Sequence, residues 1–230
     1  MSETRFLLMW LEGPLQSWGN NSKFFVRNTL EFPTKSGLLG LLCCALGAGG
    51  EQKEWLAAMA HLKSTILAYS KEKTPLLLRD FHMIGSGYDE SDPFEAQMMP
   101  KKSNGKKPAS TKAKLTHRYY LQDAFFAAVM EIPQEQSIKI SEALINPVWD
   151  LFLGRKNCPP TEFIFRGIFQ KEEDAFSEAS AIANEKSLKE KFKVFDGQLE
   201  QGEVLVLNDV PIQFGTSKIY KERYVTIVST

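Results

Sequence analysis

The chain has 230 residues, 43% hydrophobic and 24% charged, enough for one sizeable core but not for two independent ones. This composition excludes a disordered, fibrous or disulfide-scaffolded protein. The 28 lysines and arginines balance 28 aspartates and glutamates, so no global field draws the chain to nucleic acid or an anionic membrane, and any such attraction must be local.

Residues 4–11 are almost wholly apolar and stop at Gly13-Pro14, the pattern of a central strand covered on both faces. No secretory signal develops before Glu12 and Pro14. Residues 13–32 are rich in Gly, Asn and Ser and read as irregular; Pro33-Thr34-Lys35-Ser36 then opens an apolar helix for which Thr34 or Ser36 is the cap. The longest apolar stretch, residues 37–50, spans 14 residues with five glycines, too short and loose for a membrane span of about 20. The expected location is therefore cytoplasmic, with no membrane partner. Residues 51–63 carry Trp55, Leu56, Met59 and Leu62 at helical spacing. Residues 64–69 and 76–84 read as strands around a Lys73-Thr74-Pro75 turn.

Large apolar residues are sparse from 85 to 116, which reads as a protruding loop or hairpin. In residues 118–132 the alanines favour helix and the aromatics favour strand, and periodicity alone does not choose. Residues 137–145 form a helix closed by Asn146-Pro147, and 163–170 a strand containing Gly167. Residues 172–193 read as a solvated helix with Phe176, Ala179, Ile182 and Ala183 on one stripe. Segments 204–207 and 224–228 end the chain as strands. Strands interleaved with helices, plus one insertion, indicate an α+β sandwich of the ferredoxin-like kind over a single domain, 1–230.

Charge is segregated locally. Residues 101–118 hold six lysines, one arginine and no acid, whereas 80–100 hold five acids and no base. The basic half is either a solvated loop or a surface for phosphates. At its end His117, Arg118, Tyr119 and Tyr120 set charge beside stacking surfaces, a combination suited to single-stranded RNA. Residues 13–37 form a second candidate, with Lys23, Arg27 and Lys35 as cations, Gln16 and Trp18 as donor and stacking surface, and Ser36 at a helix N-terminus whose amides suit phosphate. Trp18 is equally a core anchor, and Gly37 and Gly40 allow close approach of a partner backbone or tight internal packing.

Catalytic patterns are thin. Phosphate-loop, nucleophile-elbow and paired-histidine metal motifs are absent from the sequence, and no cofactor or metal is expected. Cys43, Cys44 and Cys158 match neither a disulfide framework nor a zinc spacing and read as reduced packing residues. Only Lys114, His117 and the adjacent tyrosines could support a reaction, namely metal-free RNA cleavage by a ribose 2′-hydroxyl.

The run Gly13-Pro14-Leu15-Gln16-Ser17-Trp18-Gly19, then Arg27-Asn28-Thr29 and Phe32-Pro33-Thr34-Lys35-Ser36-Gly37-Leu38-Leu39-Gly40, resembles the CasD family, the handle-binding subunit of the type I-E CRISPR Cascade complex. The resemblance continues at Arg79-Asp80-Phe81-His82, at residues 116–125 and at Leu153-Gly154-Arg155-Lys156-Asn157-Cys158-Pro159. It implies a ferredoxin-like, RNA-recognition-motif-like body with a β-hairpin thumb at 85–116, and a strand rather than a helix at 118–132. It further implies a non-catalytic subunit that caps the 5′ handle of the CRISPR RNA (crRNA), beside the backbone and large subunits of Cascade and with target DNA in proximity. The RNA-binding residues expected are Gln16, Trp18, Arg27, Lys35, Ser36, Lys114, His117, Arg118, Arg155 and Lys156. The alternative is a metal-independent endoribonuclease that cuts CRISPR repeat RNA, as the corresponding subunit of related type I-C systems does.

Overall fold

A computed structural model describes residues 4–19, 22, 25–71, 77–84 and 114–230. In chain order the elements are β1 (Thr4–Gln16), β2 (Val26–Arg27), α1 (Lys35–Ala45), α2 (Lys53–Met59), β3 (Ser64–Ser70), β4 (Leu77–Ile84) and β5 (Lys114–Pro133). A 3₁₀ turn leads into α3 (Ser137–Ile145), followed by β6 (Phe165–Phe169), α4 (Glu172–Glu185), β7 (Lys189–Asp196), β8 (Glu203–Gln213) and β9 (Ile219–Ser229). All nine strands belong to one sheet whose main path runs β6-β1-β5-β3-β7-β9-β8, with β2 and β4 joined to β5. The pairings are antiparallel apart from β2 with β5.

β1 is central, as its apolar run predicts, because it is buried on both faces. Leu7, Met9 and Leu11 point into the core under α1, α2 and α3, while Leu8 and Trp10 point into a second core under α4. Fully burying each such side chain stabilises the fold by about 1.5–3 kcal/mol. β5 alternates in the same way, with Phe126, Ala128 and Met130 in the first core and Phe125, Ala127 and Val129 in the second. Residues 118–132 are thus strand, and the alanines that favour helix are there because both faces are covered closely.

β5 changes neighbours along its length. Residues 125–130 pair with β3, whereas 114–121 pair with β4 and, at His117 and Arg118, with β2. Between the two halves Asp123 takes a φ of +48°, a left-handed conformation for which aspartate is among the better-suited residues. The β4–β5 ladder leads from Leu77↔Leu121 to Ile84↔Lys114. The strand therefore begins at Lys114, inside the range expected to protrude, and residues 85–113 of the expected thumb lie outside the described residues.

Other boundaries differ from expectation. β1 runs through Gly13-Pro14 to Gln16; β6 has ended by then, opposite Met9, so a residue without an N–H is tolerated as on an edge strand. The second helix is only Lys53–Met59. The charged helix stops at Glu185, where Ser187 at φ +56° and the Leu188 N–H donating to Ala183 O (2.8 Å) reverse the chain. Lys189–Asp196 is then a strand, with Phe192 and Val194 inward and charged residues between them.

Candidate nucleic-acid interface

The site begins at the N-terminus of α1. Thr34 caps the helix, its hydroxyl accepting from the Gly37 N–H at 3.2 Å. The Lys35 N–H donates to Asp209 Oδ2 at 2.8 Å. Two of the helix-end amides that a phosphate site would use are thereby bonded internally. Lys35 itself departs from expectation: its side chain is 3% exposed, and its ammonium donates to Leu62 O and to Asp196 Oδ2, both at 2.7 Å. Arg223 completes this buried cluster, donating to both Asp209 oxygens at 2.7 and 2.9 Å and pairing with Asp196. Burial alone would lower the guanidinium's proton affinity, but the two carboxylates outweigh it and hold Arg223 further above its already high range. Lys35 is thus a structural cation that ties α1 to β7 and not part of the outer surface.

Gln16 and Trp18 also lie inside. The Gln16 amide donates to Leu11 O (3.0 Å) and Ala124 O (2.7 Å) and accepts from the Trp18 indole at 3.1 Å. Trp18 is 1% exposed and lies against Gly37, where a Cβ would come within 2.8 Å of the ring. Of the two readings open for Trp18 and Gly37, tight internal packing is the one realised. Gly40 is different: a Cβ there meets nothing within 4 Å.

Gly40 opens onto a cleft of about 960 Å³ between α1, residues 148–156 and the β8–β9 turn. Among the described residues its charged lining is Arg27, Arg155, Lys156 and Lys218 against Asp150, and its aromatic wall is Trp149, Phe152, Phe214 and Tyr220, with the almost fully buried Trp18 behind it. Ser36 also lines it, 3.4 Å from the Thr34 hydroxyl.

Arg155 builds the cleft's edge. Its guanidinium donates to Tyr119 O (3.2 Å), Arg27 O (2.8 Å) and Asn28 O (3.3 Å), and lies 4.9 Å over the Tyr120 ring. These partners are neutral, so the side chain staples β2 to β5 while keeping its positive charge in the cleft. The loop approaches closely because Gly154 has φ +89°, and a Cβ there would overlap the Ser17 carbonyl.

The remaining expected residues flank this edge. Register places Arg118 between Arg27 of β2 and Asp80 of β4. His117 donates its backbone N–H to Phe25 O at 2.7 Å, and its ring lies 5.3 Å from that of Phe81. Its buried Nδ1 has no hydrogen-bond partner among the described residues. Lys114 is at the start of β5. The structure therefore gathers Arg27, Ser36, Arg155 and Lys156 on one cleft, with Arg118 and His117 beside it, and removes Gln16, Trp18 and Lys35 to the interior. Sequence reading did not single out Lys218 or the aromatic wall, because these residues come from segments distant in the chain and only the fold joins them.

At Cys44, also in the lining, burial pushes the thiol up, which disfavours the thiolate, and Lys156 only partly offsets this. Cys43 is pushed up to about 12 by burial, with Cys44 adding to the shift. Among the described residues no group of three His, Cys, Asp or Glu side chains is arranged to hold a metal ion, and no helix is long and apolar enough to cross a membrane.

Comparison with known proteins gives this architecture its class. The family described as CRISPR-associated protein (Cas_Cas5) matches residues 6–226. The CRISPR system Cascade subunit CasD of Escherichia coli (strain K12) is 30% identical over 174 residues, which cover 72% of this chain and 71% of that protein. A chain of a CRISPR RNA-guided surveillance complex aligns at a TM-score of 0.72 and 27% identity, covering 98% of this chain and 90% of its own. A crystal structure of a Cas protein shares the fold at a TM-score of 0.63 and 24% identity, with 97% and 94% covered. The chain belongs to the Cas5 family of CRISPR-associated proteins.

Proposed function

We propose that this protein is a non-catalytic subunit of a Cascade-type surveillance complex, that it works in the cytoplasm, and that it holds the 5′ handle of the crRNA in the cleft beside α1. The observation that carries this reading is the pairing of Arg27, Arg155, Lys156 and Lys218 with an aromatic wall in one open cleft, since cations for phosphates and flat rings for bases are what unpaired RNA requires. The strand order β6-β1-β5-β3, with helices following β1 and β5, supports a ferredoxin-like body. The antiparallel β4–β5 ladder supports the thumb reading of 85–116, of which residues 85–113 lie outside the described residues. Arg118, His117 and Lys114 lie at the base of that hairpin and extend the RNA path from the cleft toward it. Backbone and large Cascade subunits are the proposed protein partners, with target DNA in the same assembly.

The purified chain is expected to bind labelled repeat RNA in EDTA without cutting it. Arg27→Ala and Lys156→Ala should each flatten the dependence of log affinity on log salt by about 0.7, the value for one phosphate contact on a single strand. Unchanged slopes would remove the cleft from the RNA path. The Nδ1 of His117, without a hydrogen-bond partner among the described residues, favours one competing reading, cleavage with His117 moving the proton; repeat cutting in EDTA that His117→Ala abolishes would establish it in place of a passive cap.

A further inference from the structure

The geometry points to Trp149 as the platform on which one unpaired base of the bound RNA stacks, an inference that rests on the RNA-binding reading above. The chain has four tryptophans. Trp10 and Trp18 are buried, and Trp55 is partly buried with its indole donating to Gln136 at 3.0 Å. Trp149 alone among them presents a large open surface, 47% exposed, and it does so inside the cationic cleft. A scattered exposed hydrophobic residue needs no explanation; an indole set among Arg27, Arg155 and Lys156 does.

The loop that carries the ring is also held in place before any ligand arrives. The Trp149 N–H donates to Cys44 O at 3.3 Å and the Val148 N–H to Ala45 O at 3.0 Å, zipping this loop to the end of α1. Val148 packs on Gly47, where a Cβ would come within 2.7 Å of its methyl, and the far edge of the indole lies 3.2 Å from the Cβ position of Gly49. A platform on a loop fixed in this way loses little backbone freedom on binding. A candidate phosphate anchor lines the same cleft, Lys156, together with Cys44, whose carbonyl accepts from the Trp149 backbone N–H. Stacking surface and cation thus share one cleft, where a nucleotide could place its base on one and its phosphate on the other. A base on the indole is held by dispersion and desolvation, with no counterion released, so its contribution is independent of salt.

The test uses the full chain and single-stranded repeat RNA with 2-aminopurine replacing one base at a time, read by fluorescence quenching and by affinity across a salt series. Trp149→Ala is expected to weaken binding by about 5- to 150-fold, the range for one lost base stack. Its salt slope should stay at the parent value, and quenching should be lost at one position. Trp149→Phe should restore most of the affinity. In the same series Lys156→Ala should change the slope, so failure of the RNA reading (no binding, or slopes indifferent to Lys156 and Arg27) is distinct from failure of the platform. Parent-like affinity and quenching with Trp149→Ala would overturn the inference. So would parent-like RNA affinity combined with poor incorporation into the complex, which would make Ile145, Val148 and Trp149 a contact for another subunit. A drop in thermal midpoint for both variants, matched by the loss of binding, would show the indole to be structural and also overturn it.

Discussion

Asp209→Ala should lower the free energy of unfolding by about 3–5 kcal/mol, the usual penalty for removing one member of a buried ion cluster. The Asp209 carboxylate is 2% exposed and accepts from Nε and Nη2 of the Arg223 guanidinium and from the Lys35 N–H. Alanine leaves Arg223 and Lys35 sharing Asp196, so one buried positive charge is uncompensated, and the first turn of α1 loses an amide partner. Asp209→Asn retains part of the hydrogen bonding without the charge and should fall between the two. Urea unfolding at constant m-value measures both; a loss below about 1 kcal/mol for Asp209→Ala would mean that water enters the cluster and that the pairing is not a buried one.

Gly40→Phe should leave the fold intact and abolish most RNA binding. Space for the side chain exists only outward, into the cleft, where a phenyl ring occupies the proposed RNA path. Gly40→Ala is the control: it removes glycine's conformational penalty in a helix and should raise stability by about 0.5–1 kcal/mol. Comparing thermal midpoint with RNA affinity for the two variants separates the effects. If Gly40→Phe binds with parent affinity, the RNA lies elsewhere.

Much of the fold was legible because local signals agreed with tertiary context. Thr34 capped the helix it announces, Ser137–Ile145 began and ended where Asn146-Pro147 requires, and the apolar run after Thr4 became the central strand. Misreadings arose where a local signal was overridden or missing. Pro14 signals an end, yet β1 continues past it because one neighbouring strand has already stopped. The turn after Glu185 is made by Ser187 in a left-handed conformation, with no glycine or proline to mark it, although Phe192 and Val194 alternating with lysines carried the strand signal beyond it.

Site residues divide in the same way. Arg27, Ser36, Arg155 and Lys156 were legible as polar groups inside motifs, and they share the cleft. Gln16, Trp18 and Lys35 come from equally distinctive motifs but serve the interior, because a motif records that a residue is constrained and not which way its side chain turns. Trp149, Phe152, Phe214 and Lys218 had no motif signal that reading used.

The cleft's walls are far apart in the chain. One comes from residues 17–44, another from 148–156, and the last from Phe214, Lys218 and Tyr220; the Asp209 bond to Lys35 spans 174 residues. Such non-local closure is slow in itself. On the ribosome it is also ordered in time: at about 5–20 residues per second, roughly 10–40 s separate the emergence of Arg27 from that of Phe214. The wall formed by residues 17–44 is thus made long before its opposite wall, and a nascent chain lacks the complete cleft until residues 214–220 have emerged. On the proposed reading, guide binding is therefore expected only once nearly all of the subunit has been translated.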